Sequence, residues 1–345
     1  MFFASDNSGP VHPRVMERVA QANQGFAGAY GADPVMEGVR QQIRDLFEAP
    51  DAAVYLVATG TAANSLVLAT LGQPWQTIFC SPVAHIHEDE CNAPEFFTGG
   101  AKLTLVGTGD KITPEALRNS IAAQQARGVH GPQRGPVSLT QVTELGQVYS
   151  VAELAALSAV AREFDLPVHM DGARFANALV TLDCTPAEMT WKAGIDAVSF
   201  GATKNGCMGV EAVIFFDPAH AWEFELRRKR GAHLFSKYRY LAAQMAGYLE
   251  DDLWLNSARA ANARAERLAD GLRRAGAQFL LDPQANMVFA ALPRVTHEKL
   301  FAAGAAYHLW GAVLDGEDPQ EMLGARFVCD WSITEGEIDR FLDLI

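Results

Sequence analysis

Seven short apolar runs constrain the fold of this chain more than any other feature: AVYLVA (53–58), TIFC (77–80), LTLV (103–106), PVSLTQV (136–142), PVHM (167–170), AVSF (197–200) and AVIFF (212–216). They read as apolar on both faces, the habit of strands in a sheet covered by helices. Helical patterns lie between them, and two have readable starts. Ser150 with Glu153, and Thr185 with Pro186 and Glu188, have the capping-box spacing in which each partner satisfies an orphan backbone N–H. This alternation predicts an α/β fold with a mostly parallel seven-stranded sheet flanked by helices.

Beyond residue 217 the pattern changes. A long helical stretch over 219–275 is followed by three strand-like runs, NMVFAAL, YHLWGAV and ARFVCDW, and by a helix that Thr334 and Glu337 can cap. A chain of 345 residues exceeds the size at which one core keeps growing. The expected organisation is a large unit over 1–240 and a smaller C-terminal α+β unit over 241–345.

Composition narrows the function. A net charge of -13 argues against a nucleic-acid or anionic-membrane surface, since both need clustered Lys and Arg. No apolar run is long enough to span a bilayer, and the N-terminal MFFASDNSGP lacks the basic start and apolar core of a signal peptide. The five cysteines are odd in number and show no CxxC spacing, which fits a reducing cytoplasm better than a disulfide framework. Small-molecule chemistry is favoured.

Open α/β sheets bind ligands at the carboxyl ends of their strands, and four such ends carry unusual polar residues: ATGTAAN, SPVAHIHEDE, HMDGAR and GATKNG. Gly60 and Thr61 stand at a turn into a helix, where unpaired N–H groups suit an anion. Alone, that turn could equally be a plain cap. It matches neither GxGxxG nor the GxxxxGK[ST] loop, so a single phosphate is a better guest than a dinucleotide or nucleoside triphosphate. Asp171 and Arg174 follow a buried run; they could pair with each other, or Asp171 could hold a heterocyclic nitrogen protonated, as pyridoxal 5'-phosphate requires. Lys204 then has a job, because a desolvated amine beside a cofactor forms a Schiff base with an aldehyde. HIHEDE looks like a metal cluster but lacks the HExxH spacing, and no metal is expected.

The segments FASDNSG, AYGADP, ATGTAAN, SPVAHIHEDE, HMDGARFANA and GATKNG occur in the order and approximate spacing of the low-specificity L-threonine aldolases, which the chain resembles over essentially its whole length. The resemblance implies the aspartate-aminotransferase-like fold of type I pyridoxal phosphate enzymes. It also implies retro-aldol cleavage of L-threonine, L-allo-threonine and related β-hydroxy-α-amino acids to glycine and an aldehyde. In that frame Lys204 carries the cofactor, Asp171 faces the pyridine nitrogen and Arg174 the phenolic oxygen. Gly60 and Thr61 form the phosphate turn, and His85 stacks on the ring. Ser5 and Arg326 hold the substrate carboxylate, a suitable target for a guanidinium fork. Tyr30, Arg230 and Lys237 match residues that reach the site across a subunit interface, implying a homodimer or homotetramer. Glu144 stands where better-known members carry a second histidine; His85, Glu144 or a water remains open as the base for the β-hydroxyl. A β-eliminating pyridoxal phosphate enzyme would share Lys204, Asp171 and the phosphate turn but break another bond.

Overall fold

The computed structural model describes residues 1–345, the side chains at 125–127 apart. Each of the seven runs forms a strand: β1 (Ala53–Val57), β2 (Gln76–Cys80), β3 (Lys102–Leu105), β4 (Gln133–Thr140), β5 (Val168–Gly172), β6 (Ala197–Gly201) and β7 (Glu211–Phe215). They form one sheet in the order β1-β7-β6-β5-β4-β2-β3. Only β7 opposes the others. The reversal has a local cause: a parallel crossover takes a dozen residues or more, and the connection over 202–210 is too short for one. The chain turns straight back, setting Glu211 opposite Gly201.

Strands β1, β5, β6 and β7 are buried throughout. The exception to the expected two-sided cover is β3, which ends the sheet and exposes Lys102 and Leu105. A lysine on such an edge discourages pairing with another chain. All three anticipated capping boxes form, at Ser150, Thr185 and Thr334, although the second opens a helix of only Pro186–Met189. The helix Gly60–Leu71, which follows β1, is buried from Ala62 to Thr70. Its apolar residues carry Asn64 into the interior with them.

The stretch 219–275 is three helices, Ala221–Arg230, Arg239–Leu249 and Leu253–Arg274, rather than a continuous run. At the second break Asp251 and Asp252 adopt φ of 48° and 54°, a left-handed conformation that aspartate tolerates and a helix interior does not. The last helix feeds two cores. Trp254 and Ala258 pack with the large sheet, whereas Leu268 and Leu272 pack with Phe3, Phe327 and Phe341 against a second sheet.

That second sheet is antiparallel, ordered β10-β11-β9-β8, from β8 (Gln278–Phe279), β9 (Met287–Pro293), β10 (His308–Leu309) and β11 (Met322–Val328). The two-residue β8 was too short to read from the sequence. YHLWGAV yields only β10 because the chain turns at Gly311, with φ 64°. In ARFVCDW the strand begins earlier and ends at Val328. The N-terminal segment ties this sheet to the larger body: Phe3 N–H donates to Ala306 O at 2.7 Å and Phe3 O accepts from Val328 N–H at 2.8 Å, while Asp6, three residues on, accepts from Arg174 beyond β5.

Candidate active site

Because β1, β2, β4, β5 and β6 share one direction, their carboxyl ends open on one edge of the sheet. The loops there bring together Gly60, Thr61, His85, Glu144, Asp171, Arg174 and Lys204. Asp171, buried at the end of β5, is held on both oxygens: Ala173 N–H donates to Oδ1 at 3.0 Å and Asn64 Nδ2 to Oδ2 at 2.8 Å. The Asn64 amide also reaches Glu90 Oε1 at 2.9 Å, and His85 Nδ1 lies 3.0 Å from that same oxygen. A chain His85–Glu90–Asn64–Asp171 thus runs beneath the site. The Glu90 hydrogen bond raises the His85 pKa; burial opposes it, and the Asp171 and Glu144 carboxylates add to it. With Nδ1 engaged, Nε2 is left as the working nitrogen.

Arg174 does not pair with Asp171. Its guanidinium forks onto Asp6, Nε to Oδ2 at 2.7 Å and Nη2 to Oδ1 at 2.9 Å, and Asn286 Nδ2 adds a third contact to Oδ2 at 3.1 Å. Asp6 is buried. Burial pushes its pKa up, but the charges of Arg174 and Lys204 and the hydrogen bonds outweigh that and leave it below its ordinary value. Breaking such a buried pair from one side costs about 3–5 kcal/mol.

Lys204 occupies the short turn Thr203–Asn205 after β6. It is half-buried, and among the described residues its Nζ has no hydrogen-bond partner. The amine lies within electrostatic reach of Asp6, Glu144 and Glu211. Two glycines permit the geometry: a Cβ on Gly201 would come within 2.5 Å of Ala173 O, and Gly206 ends the turn at φ 115°. Glu144 follows β4 in a turn held by Asp110, which accepts from Thr143 Oγ1 and from Leu145 N–H. Burial raises the Glu144 pKa, against the pull of Arg174 and His85.

Ser5 and Arg326 meet at the N-terminal segment. Arg326 Nη2 donates to Ala4 O at 3.2 Å, while Ser5 Oγ accepts from Asn7 N–H at 3.1 Å. Arg326 Nε is buried with no partner, a donor left for an anion to satisfy. Around Gly60 a Cβ would meet nothing within 4 Å, so the helix N-terminus faces open space, and Thr59 rather than Thr61 caps it through Ala62 N–H at 3.2 Å. The unpartnered amine of Lys204, the held carboxylate of Asp171, the orphan Arg326 N–H and this open helix terminus fit a phosphorylated heterocyclic aldehyde together with a carboxylate substrate.

Three expected residues lie apart from this cluster. Tyr30 and Lys237 are exposed and neighbour one another, since Tyr30 N–H donates to Ser236 O at 3.1 Å. Lys237 lines a cavity of about 580 Å³ with Met208, Phe235 and Gln244. Arg230, also exposed, lines a different one of about 770 Å³ with Trp75, Phe96 and Leu226. The exposed His87 faces Glu88 at 3.1 Å. Asp6, Asn64, Glu90 and Glu211 were missed by sequence reasoning, although the first three sit inside the motifs FASDNSG, ATGTAAN and HIHEDE.

The sheet order, the single reversed strand and the lysine–aspartate–arginine edge define a class. The beta-eliminating lyase family model matches residues 3–293. The chain is 42% identical to the low-specificity L-threonine aldolase of Pseudomonas aeruginosa, over 99% of this chain and 95% of that one. It is 40% identical to the low-specificity L-threonine aldolase of a Pseudomonas species, over 97% and 94% respectively. The solved structure of Leishmania major threonine aldolase superposes with a TM-score of 0.92 at 26% identity, covering 99% of this chain and 98% of that one. The chain belongs to the low-specificity L-threonine aldolases of the beta-eliminating lyase family. Its fold is that of the type I pyridoxal phosphate enzymes, and no helix among the described residues is long and apolar enough to cross a membrane.

Proposed function

We propose that the protein uses pyridoxal 5'-phosphate to cleave L-threonine, L-allo-threonine and related β-hydroxy-α-amino acids to glycine and an aldehyde. The observation that carries this is the Lys204 amine, without a hydrogen-bond partner among the described residues, on the same sheet edge as the doubly held Asp171 carboxylate. When bound, the cofactor supplies an electron sink for the bond that breaks at the α-carbon. Lys204 would hold its aldehyde carbon, Asp171 its ring nitrogen, Gly60 and Thr61 its phosphate, and the His85 ring would lie over it.

Arg174, with Nε and Nη2 given to Asp6, keeps Nη1 for the ring oxygen. Arg326 and Ser5 would fix the substrate carboxylate, which orients the Cα–Cβ bond. His85 through Nε2, and Glu144 through a carboxyl whose pKa burial raises, are the two side chains offered as acceptors for the β-hydroxyl proton. Tyr30, Lys237 and Arg230 would complete the site from a second copy in a homodimer or homotetramer. The units 1–240 and 241–345 would carry cofactor and small-sheet functions respectively, in the cytoplasm.

The test is product analysis with L-threonine. Glycine and acetaldehyde in equal amounts support the reading; ammonia and a keto acid would instead favour β-elimination. L-allo-threonine should be cleaved too, and Glu144→Gln should change the isomer ratio if Glu144 reads the hydroxyl.

A further inference from the structure

Glu211 is a buried carboxyl that the reaction above does not use. It opens β7, paired in register with Val57 on one side and Gly201 on the other, and is 7% exposed. Its Oε2 accepts the Ala202 N–H at 2.7 Å, while the Thr203 hydroxyl accepts the Val210 N–H at 3.1 Å, so both residues before Lys204 are tied to the start of β7. The turn Thr203–Asn205 has Ala202 at its N-cap, which has no side chain able to cap. A neighbouring strand instead supplies an acceptor for the N–H of the N-cap residue itself, the part a glutamate plays in a capping box.

The rest of the loop is fastened by other means. Asn205 Nδ2 donates to Tyr248 Oη and to Trp254 O, each at 2.8 Å, while Gln244 Oε1 accepts Met208 N–H at 3.0 Å and Gly209 N–H at 2.9 Å. These contacts grip the residues after Lys204. Glu211 grips Ala202, two residues before the lysine, and Val210 grips Thr203.

We propose that Glu211 is a positioning residue for Lys204: it caps the lysine's turn from the adjacent strand and fixes the direction from which the amine meets the cofactor's aldehyde. This rests on the pyridoxal phosphate reading above. The ionisable groups facing Glu211 are Lys204 from the turn, Cys207 from the loop and Tyr248 from the helix Arg239–Leu249. Burial pushes the Glu211 carboxyl up to about 7, against the pull of its hydrogen bonds and of Lys204. Above that pH it is an acceptor on both oxygens and caps fully; below it, one oxygen carries a proton and the cap weakens.

The experiment follows capture of pyridoxal 5'-phosphate by the full-length protein stripped of cofactor, read by absorbance without substrate, across pH 5.5 to 8.5 (range chosen to span about 7). Wild type, Glu211→Gln and Glu211→Asp are compared, with thermal melting as a check on folding. Glutamine keeps an acceptor but no titration, so its profile should lose the step near pH 7. Aspartate keeps the charge but not the reach, so it should retain a step and capture about tenfold more slowly at pH 8, the loss of roughly one hydrogen bond. Variants that melt like wild type and capture at its rate, with the same pH profile, would overturn the proposal while leaving the cofactor reading intact. A wild type that captures no cofactor overturns both.

Discussion

The two parts of the candidate site differ in how far one chain completes them. At the buried end Asp171, Asp6, Glu90 and Glu211 each find hydrogen-bond partners within the chain. Among the atoms left over are Lys204 Nζ and Arg326 Nε, which a cofactor and a carboxylate would occupy, together with Glu90 Oε2, Asn64 Oδ1 and Asn286 Oδ1. At the exposed end Tyr30 and Lys237 touch their own loop and stand in solvent. The difference teaches that burial makes each charged group find at least one partner inside the chain, because a fully unpaired buried group is expensive. Surface residues carry no such obligation and can wait for a second copy.

The comparison is broken most severely at Lys204. Lys204→Ala should lower threonine cleavage on the order of 10⁴-fold or more, with thermal stability close to wild type because the amine makes no hydrogen bond among the described residues; a residual rate within tenfold would remove Lys204 from the chemistry. Next comes Asp6→Ala, which leaves the Arg174 guanidinium buried and unpaired. Urea unfolding should register a loss of about 3–5 kcal/mol, where an exposed residue such as Lys237, changed to Ala, should move stability by no more than about 0.5 kcal/mol. Equal effects at the two positions would erase the distinction between the parts.

A pH experiment probes the buried end from below. His169 lies on β5 two residues before Asp171, with Nδ1 3.0 Å from Ser138 Oγ and Nε2 2.9 Å from Ser199 Oγ, and burial lowers its pKa to about 4. The ordinary value is 6.5, so between these limits the unfolded chain binds the extra proton and the folded one does not. The stabilisation from a neutral His169 is therefore full above about 6.5 and lost as pH falls toward 4. The stability difference between wild type and His169→Gln should grow by about 3 kcal/mol across that window as pH rises. A constant difference would mean that His169 titrates normally.

The smallest effect sharpens the exposed end. Lys204→Ala and Lys237→Ala proteins, each impaired alone, should regain about a quarter of wild-type activity when unfolded and refolded together, because one site in each mixed dimer receives both native lysines. No gain over the average of the two parents would place Lys237 outside a shared site, as would full activity in a strictly monomeric fraction followed by light scattering.

Much of this was legible before the fold was in hand. The seven apolar runs became the seven strands because each is short, bounded by turn residues and set between capped helices. Lys204, Asp171, Arg174 and His85 could be placed at strand ends because open sheets gather chemistry there. Partner choice was not legible. Asp6 reaches Arg174 across 168 positions of sequence, and Glu211 acts on Ala202 only because β7 turns back antiparallel, which an apolar run does not disclose. The breaks in 219–275 escaped because their turn-forming residues, Gly231 at the first and Asp251 and Asp252 at the second, are few within a long run rich in Ala, Arg and Leu.

The central claim is that Lys204, at the buried end, is the lysine that holds the cofactor. It is tested most directly by adding pyridoxal 5'-phosphate to the protein, reducing with borohydride and mapping the modified peptide. The account predicts a single pyridoxyl group on Lys204, in the peptide containing GATKNG. A label on Lys102, Lys192 or Lys237 instead would contradict it.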